Sequence, residues 1–191
     1  MSHPTIAPAL IIVSGAPGTG KTTLGRRIAG GLGIPYVGKD LIKESLFDSL
    51  GTQDREWSMR LGVASIELMS KLIESHLMLG LSLVAESNFR VQYDIPRFAG
   101  FAERYAFKSV EVHCSTERQV LHGRLKRRDQ SGERHAGHET GGMLDEIDRL
   151  VDDGTFGPLD LGGTTIRVHT TAFETVDYDA IIASAKAAGG L

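Results

Sequence analysis

The chain is poor in several features that define whole classes of protein. It has one cysteine, Cys114, only 6% aromatic residues, and no apolar run that approaches a membrane span. A lone cysteine cannot form an internal disulfide, and a membrane helix needs about 18 consecutive apolar residues. The start, Met1-Ser2-His3-Pro4, lacks the basic and apolar segments of an export signal. We therefore expect a cytoplasmic protein that binds no membrane, with Cys114 as a core residue rather than a nucleophile.

Charge and length restrict the class of ligand and the number of domains. The 191 residues carry a formal net charge of −3 at pH 7, so the protein as a whole does not attract polyanions. A polynucleotide ligand would call for a basic groove with stacking aromatic side chains, and the composition argues against one without excluding it. The length fits a single domain, 1–191, and the sequence shows no repeat or linker.

One segment, 15–22, is a complete phosphate-binding loop placed between an apolar run and a helical pattern. Its glycines allow successive backbone N–H groups to turn inward around phosphate oxygens, and the following helix directs its positive end at them. Lys21 is expected to contact the β- and γ-phosphates, and the Thr22 hydroxyl to bind Mg²⁺. The sequence thus predicts a nucleoside triphosphate site that comprises Gly15, Ala16, Pro17, Gly18, Thr19, Gly20, Lys21, Thr22 and Thr23.

Along the chain, short apolar runs alternate with helical stretches, which is typical of a parallel sheet covered by helices on both faces. We predict an α/β fold with strands at 9–14, 35–37, 81–85, 109–114 and 165–169. The expected helices are a first one ending at Leu32 before Gly33, then 41–50, 59–79, 116–128 and 177–188. The helix 59–79 is expected to pack one stripe on the core, formed by Met59, Val63, Ile66, Met69, Ile73 and Leu77.

Polar residues follow two of these strands, where open α/β sheets bind their ligands. Asp40 follows the second strand, and Glu86 and Asn88 follow the third. A carboxylate beside the γ-phosphate can accept the proton of an attacking hydroxyl, and a second can orient substrate or Mg²⁺. The alternative for Asp40 is to cap the helix 41–50. Glu86 would be costly to bury unpaired, so we expect it to contact Mg²⁺, an arginine or a substrate hydroxyl.

A basic cluster, 124–128, follows the fourth strand and precedes a polar loop. Arg124 and Arg128 share a helix face at a spacing of four residues. Such a cluster is often a solvated basic surface. Its position favours a lid at about 128–140, whose arginines neutralise charge on a transferred phosphoryl group. His135 and His138 are expected on the lid surface rather than at a metal, and Thr170 and Thr171 are candidates to border an adenine.

These features together resemble the small P-loop kinases, in particular the bacterial group that includes chloramphenicol phosphotransferase, zeta toxins and the kinase domain of polynucleotide kinase. The resemblance implies a three-layer fold with a five-stranded parallel sheet in the order 2-3-1-4-5, and ATP and Mg²⁺ at the site. It implies that Asp40 is the catalytic base and lies at the substrate, that Lys21, Arg124 and Arg128 act in catalysis, and that Arg128 and Arg134 contact the nucleotide.

The segment Glu86-Ser87-Asn88-Phe89-Arg90 resembles the zeta-toxin strand end Glu-Gly-Thr-Leu-Arg, in which the acid contacts substrate. Glu86, Asn88 and Arg90 are therefore expected at the acceptor. The usual acid at this strand end is Asp, and the presence of Glu86 instead leaves open whether it binds Mg²⁺, together with Thr22, or the acceptor. The sequence thus predicts a kinase that phosphorylates a hydroxyl of a small molecule. A 5′-hydroxyl polynucleotide kinase and an ATP-hydrolysing nucleotide switch are the alternatives, and neither the acceptor nor the oligomeric state follows from the sequence.

Overall fold

The computed structural model describes residues 7–131, 135, 137 and 144–191. The strands are Ala9–Ser14 (β1), Tyr36–Gly38 (β2), Leu83–Glu86 (β3), Lys108–Ser115 (β4) and Thr164–His169 (β5). The helices are Lys21–Leu32 (α1), Lys39–Leu50 (α2), Arg55–Met78 (α3), Val91–Arg104 (α4), Arg118–Gln130 (α5), Leu144–Asp152 (α6) and Tyr178–Gly189 (α7), with a short 3-10 helix at Phe173–Thr175.

Within the described residues, the strands form one parallel sheet in the order β2-β3-β1-β4-β5, which confirms the predicted fold. The central strand β1 is buried along its whole length. Glu86 lies opposite Val13 in the register, and His113 lies opposite Ser14. Because all strands run the same way, the loops that follow β1, β2 and β3 meet at one edge of the sheet.

Helices cover both faces of the sheet and bury two apolar clusters. On one face, Ile11, Val13 and Val112 pack with residues of α1 and α7. On the other face, Leu10 and Ile12 pack with residues of α3 and α4. This is the three-layer arrangement that near-continuous apolar strands require, since both of their faces must be covered. Among the described helices, none has the length and apolarity needed to span a bilayer.

Local signals in the sequence set the ends of the first helix as predicted. Gly33 has φ +66°, a left-handed conformation, and its N–H donates to the Ala29 carbonyl. The capping alternative for Asp40 is wrong, because α2 begins at Lys39 with Gly38 as its N-cap. Asp40 lies within the first helical turn instead.

The predicted apolar stripe of α3 is correct only in its C-terminal half. Met69, Ile73 and Leu77 are buried, but Met59 and Val63 are 56% and 67% exposed. The buried positions recur every four residues, so the buried face rotates around the helix, and α3 packs on α2 near its start.

Helices α4 and α6 lie in segments for which the sequence pattern predicted no helix, and α4 contains Pro96, an ordinary helix breaker.

Candidate functional site

The loop between β1 and α1 has the backbone geometry that the sequence predicted. Gly15, Gly18 and Gly20 all have positive φ, at 128°, 81° and 83°. At Gly15 a side chain is also excluded by space, because a Cβ there would lie 2.1 Å from the Cys114 carbonyl oxygen. Gly20 is the N-cap of α1, so the loop ends where the helix dipole is positive. A concave backbone of this kind fits phosphate oxygens.

Lys21 lies at the start of α1 with only 5% of its surface exposed. Its Nζ donates a hydrogen bond to the Ala16 carbonyl at 2.7 Å. Burial lowers the pKa of Lys21, and the negative charges of Glu86 and Asp40 act in the opposite direction, while the positive charge of Arg128 adds to the lowering. The Cys114 thiol also acts to raise the pKa of Lys21, and burial outweighs these opposing charges.

Glu86 ends β3 and is buried beside the phosphate loop. Its Oε2 accepts hydrogen bonds from the Thr22 hydroxyl at 3.1 Å and from the Tyr36 hydroxyl at 2.8 Å. Burial, followed by the charge of Glu86 and this hydrogen bond, raises the pKa of Tyr36. Thr22 and Glu86 together present the hard oxygen donors that Mg²⁺ prefers, so the residues present fit this ion. Tyr36 was missed in the sequence, where it reads only as an aromatic residue of a short strand.

The predicted acceptor residues lie directly after β2 and β3, with Asp40 in the first turn of α2. Asp40 is partly exposed, and Lys39 Nζ lies 3.5 Å from its Oδ1. Asn88 is half-buried, whereas Arg90 is exposed and is the N-cap of α4. The Arg90 N–H donates to Asp94 Oδ2 at 2.7 Å, which anchors the start of α4 next to the site. Adjacent strands thus bring Asp40, Asn88 and Arg90 to the same edge of the sheet.

Arg124 and Arg128 occupy different environments on α5. The Arg124 guanidinium donates to the Gly18 carbonyl at 3.4 Å, to the Thr171 carbonyl at 3.3 Å, and to the Thr170 carbonyl. The Thr170 hydroxyl in turn donates to the Thr19 carbonyl at 2.8 Å. Arg124 thus joins α5 to the phosphate loop and to the loop after β5. Arg128 is exposed, one helical turn further along.

Two residues of the predicted lid, His135 and Gly137, contact α2 and α3. The His135 ring stacks on Phe47 with the centroids 5.2 Å apart, and its Nε2 is 3.1 Å from Asp48 Oδ1. The Ser58 hydroxyl donates to the Gly137 carbonyl at 3.2 Å. His135, which the sequence assigned to the lid surface, is thus held against α2. Arg134 and His138 lie outside the described residues.

Comparison with protein families matches residues 10–148 to the AAA domain family. The match spans more than half of the chain and includes the phosphate loop, Asp40, Glu86 and α5. The chain belongs to this family.

Solved structures share the fold of this chain over nearly its whole length. A candidate kinase from Chloroflexus aurantiacus J-10-fl is 39% identical, with a TM-score of 0.88 over 95% of this chain and 98% of that one. Two further structures share the fold alone. Shikimate kinase from Bacteroides thetaiotaomicron is 18% identical, with a TM-score of 0.53 over 96% of this chain and 99% of that one. Chaetomium thermophilum Kti12 in complex with ADP-AlF3 is 13% identical, with a TM-score of 0.66 over 94% of this chain and 98% of that one. A search of curated proteins found no match. The family match and the 39% identical structure confirm the resemblance to small P-loop kinases.

A buried carboxylate under the phosphate loop of this AAA domain was missed in the sequence. Glu111 on β4 accepts hydrogen bonds from the Ser14 hydroxyl at 2.6 Å and from the Leu159 N–H at 2.9 Å. The Ser14 hydroxyl is also 2.9 Å from His113 Nδ1, and burial lowers the pKa of His113. Glu111 therefore holds the last residue of β1 and the backbone at Leu159 and Asp160. The signal available in the sequence was an acid between two valines in a buried strand.

Cys114 of this AAA domain is expected to be chemically inert in the native state. It is 1% exposed, and burial raises the pKa of its thiol to about 12. At pH 8 both access and thiolate formation are suppressed. Mass spectrometry after iodoacetamide treatment should show no adduct on the native protein and one adduct after denaturation. Rapid labelling of the native protein would show instead that the strand end behind the phosphate loop opens readily.

Proposed function

We propose that this protein is an ATP- and Mg²⁺-dependent kinase that transfers the γ-phosphoryl group to a hydroxyl of a small molecule. The observation that supports it most strongly is the contact between the phosphate loop and the acid that ends β3. The Thr22 hydroxyl donates to Glu86 Oε2 at 3.1 Å, next to the buried Lys21. A phosphate loop with its lysine, and a hydroxyl and a carboxylate that suit Mg²⁺, are groups that phosphoryl transfer needs.

In this proposal the loop 15–22 holds the phosphates, and Lys21 contacts the β- and γ-phosphates. Thr22 and Glu86 hold Mg²⁺, which supplies positive charge to the phosphate oxygens when it is bound. Thr23 and the start of α1 complete the phosphate site. The lowered pKa of Lys21 does not prevent this role, because bound phosphates would favour its charged form again.

Asp40 is the proposed base. Its carboxylate accepts the proton of the acceptor hydroxyl while the hydroxyl oxygen forms its bond to the γ-phosphorus, and the bond between that phosphorus and the β–γ bridging oxygen breaks to release ADP. Arg128 neutralises the charge of the transferred group, and Arg134 is proposed to join it at the nucleotide. Asn88 and Arg90 are proposed to bind the acceptor, since they follow the strand next to that of Asp40.

The experiment that tests the function is a screen for an ATP-dependent gain of one phosphoryl mass. The substrates to include are hydroxyl-bearing metabolites, aminoglycosides, nucleosides and 5′-hydroxyl oligonucleotides. A small-molecule product supports the proposal, while phosphorylation of oligonucleotides alone would identify a polynucleotide kinase. Hydrolysis of ATP that responds to a protein partner, with no acceptor phosphorylated, would identify a nucleotide switch.

The assignment of Glu86 to Mg²⁺ gives a separate prediction. Glu86→Gln keeps the shape but removes the charge next to Thr22, so half-maximal activity should require about tenfold more Mg²⁺, the scale of losing one supporting group at a metal site. Tyr36→Phe is the matched control, because it removes one hydrogen bond to Glu86 and leaves the carboxylate in place. Activity measured against Mg²⁺ and against acceptor separates the roles. A higher KM for the acceptor at unchanged Mg²⁺ dependence would move Glu86 to the acceptor site.

A further inference from the structure

Residues 155–160 lie between α6 and β5 and form a strap that contacts both the start of α4 and the phosphate loop. At one end of the strap, the Thr155 carbonyl accepts a hydrogen bond from the Val91 N–H at 3.0 Å, and Val91 is the first residue of α4. Next to it, Phe156 is buried in an apolar cluster with Ala16 of the phosphate loop. The strap therefore bridges the two regions that the proposed reaction must bring together.

The other end of the strap is held by the carboxylate of Glu111. Its Oε2 accepts hydrogen bonds from the N–H groups of Leu159 and Asp160, at 2.9 and 3.2 Å. Its Oε1 accepts a hydrogen bond from the Ser14 hydroxyl at 2.6 Å. Because Ser14 directly precedes Gly15, one carboxylate joins the strap to the base of the phosphate loop.

Two features show that this link is costly for the fold. Glu111 is 2% exposed in β4, and a buried carboxylate loses free energy unless hydrogen-bond donors satisfy it. Asp160 has φ +45°, and in the described part of the chain it is the only residue other than glycine with a positive φ. Backbone strain of this kind persists where the surrounding contacts fix the conformation, and it is concentrated at functional sites. An apolar side chain at position 111 would suit the core but would remove the acceptor that the strap uses.

We propose that Glu111 is a positioning residue that transmits the state of the phosphate loop to the start of α4. This inference rests on the proposed function, since it needs a triphosphate bound in the loop 15–22. Bound phosphates fix the backbone of the loop. The Ser14 hydroxyl then holds Glu111, and Glu111 holds the strap that binds the Val91 N–H. Arg90, which directly precedes Val91, is thereby fixed for the acceptor when ATP is bound.

Amide hydrogen exchange measured by NMR, with and without the β,γ-imido analogue of ATP and Mg²⁺, tests this link. In the wild type, the analogue should slow exchange of the Val91 and Asp160 N–H groups at least about fivefold, the lower end of the usual coupling between two sites. Ser14→Ala removes the hydroxyl but keeps both backbone bonds to Glu111, so this slowing should disappear. Calorimetry should show that Ser14→Ala still binds the analogue, because the loop N–H groups and Lys21 are unchanged.

Two further variants separate the hydrogen-bonded link from a general effect on the fold. In Glu111→Gln, the amide oxygen can accept from the strap while the amide NH₂ group donates to Ser14, so the slowing should stay within about twofold of wild type. Ser115→Ala is the matched control. Ser115 also ends a strand, β4, but its hydroxyl lies 3.3 Å from His169 Nδ1 rather than at the strap, so its loss should leave the slowing unchanged.

Three results would overturn the link while leaving the kinase proposal intact. Unchanged slowing at Val91 in Ser14→Ala would mean that the apolar cluster around Phe156, and not Glu111, joins the strap to the phosphate loop. Absence of slowing in the wild type, with the analogue bound by calorimetry, would mean that the strap does not respond to the nucleotide. Loss of slowing in Ser115→Ala as well would indicate a general loosening of the strand ends. A wild-type protein that does not bind the analogue would overturn the proposed function and the link with it.

Discussion

Replacing Asp40 by asparagine is expected to lower phosphoryl transfer to the acceptor by about two to four orders of magnitude, the usual contribution of a positioned general base. The amide keeps the shape of the carboxylate but cannot accept the proton. ATP affinity should stay near that of wild type, because Asp40 is not part of the phosphate loop. Background hydrolysis of ATP should fall much less, since Asp40 is proposed to serve the acceptor hydroxyl.

The structure provides a matched control for the effect on stability. Asp40 lies in the first turn of α2, and Asp179 lies in the first turn of α7, so each carboxylate interacts with a helix dipole. Both Asp→Asn variants should lose at most about 1 kcal/mol of unfolding free energy, and only the change at residue 40 should affect transfer. Full transfer activity in Asp40→Asn would place the base elsewhere, with Glu86 the next candidate.

Replacing Lys21 by methionine or alanine is expected to lower turnover by about two to three orders of magnitude, the scale of losing one preorganised charge contact. Methionine is the more informative replacement, because it fills the space of the buried lysine stem without the charge. Lys186→Ala, which removes an exposed lysine from α7, should leave turnover unchanged. Near-normal turnover in Lys21→Met would mean that the loop 15–22 is not the phosphate site, and the proposed function would fail.

The same substitution, Lys21→Met, should lower turnover without lowering the free energy of unfolding. The folded protein holds the pKa of Lys21 below its ordinary value of 10.5, chiefly through burial, so the charged form opposes folding. We expect Lys21→Met to unfold at equal or higher denaturant concentration than wild type. Between the folded pKa and 10.5 the unfolded chain binds the proton more tightly, so wild type should gain stability relative to Lys21→Met as pH rises through that window. A large loss of stability at neutral pH would contradict this electrostatic account.

The parts of the site that the sequence predicted well are those encoded within a few residues. Gly15, Gly18 and Gly20 have the positive φ that the loop requires, and Gly33 ends α1 through its left-handed conformation. These are backbone preferences of single residues, and they do not depend on contacts with distant parts of the chain. The alternation of apolar strands and helices, with the family resemblance, likewise predicted the sheet and its order.

Tertiary structure decided the features that depend on contacts between distant segments. Tyr36 meets Glu86 across 50 residues, Ser14 meets Glu111 across 97, and Arg124 meets the Gly18 carbonyl across 106. Met59 and Val63 are exposed, which the apolar pattern of α3 could not show, because the buried face of a helix depends on the elements that pack against it. A sequence pattern reports the preferences of a residue and its near neighbours. The partner that satisfies a buried hydroxyl, carboxylate or guanidinium is chosen only when the sheet brings separate loops together.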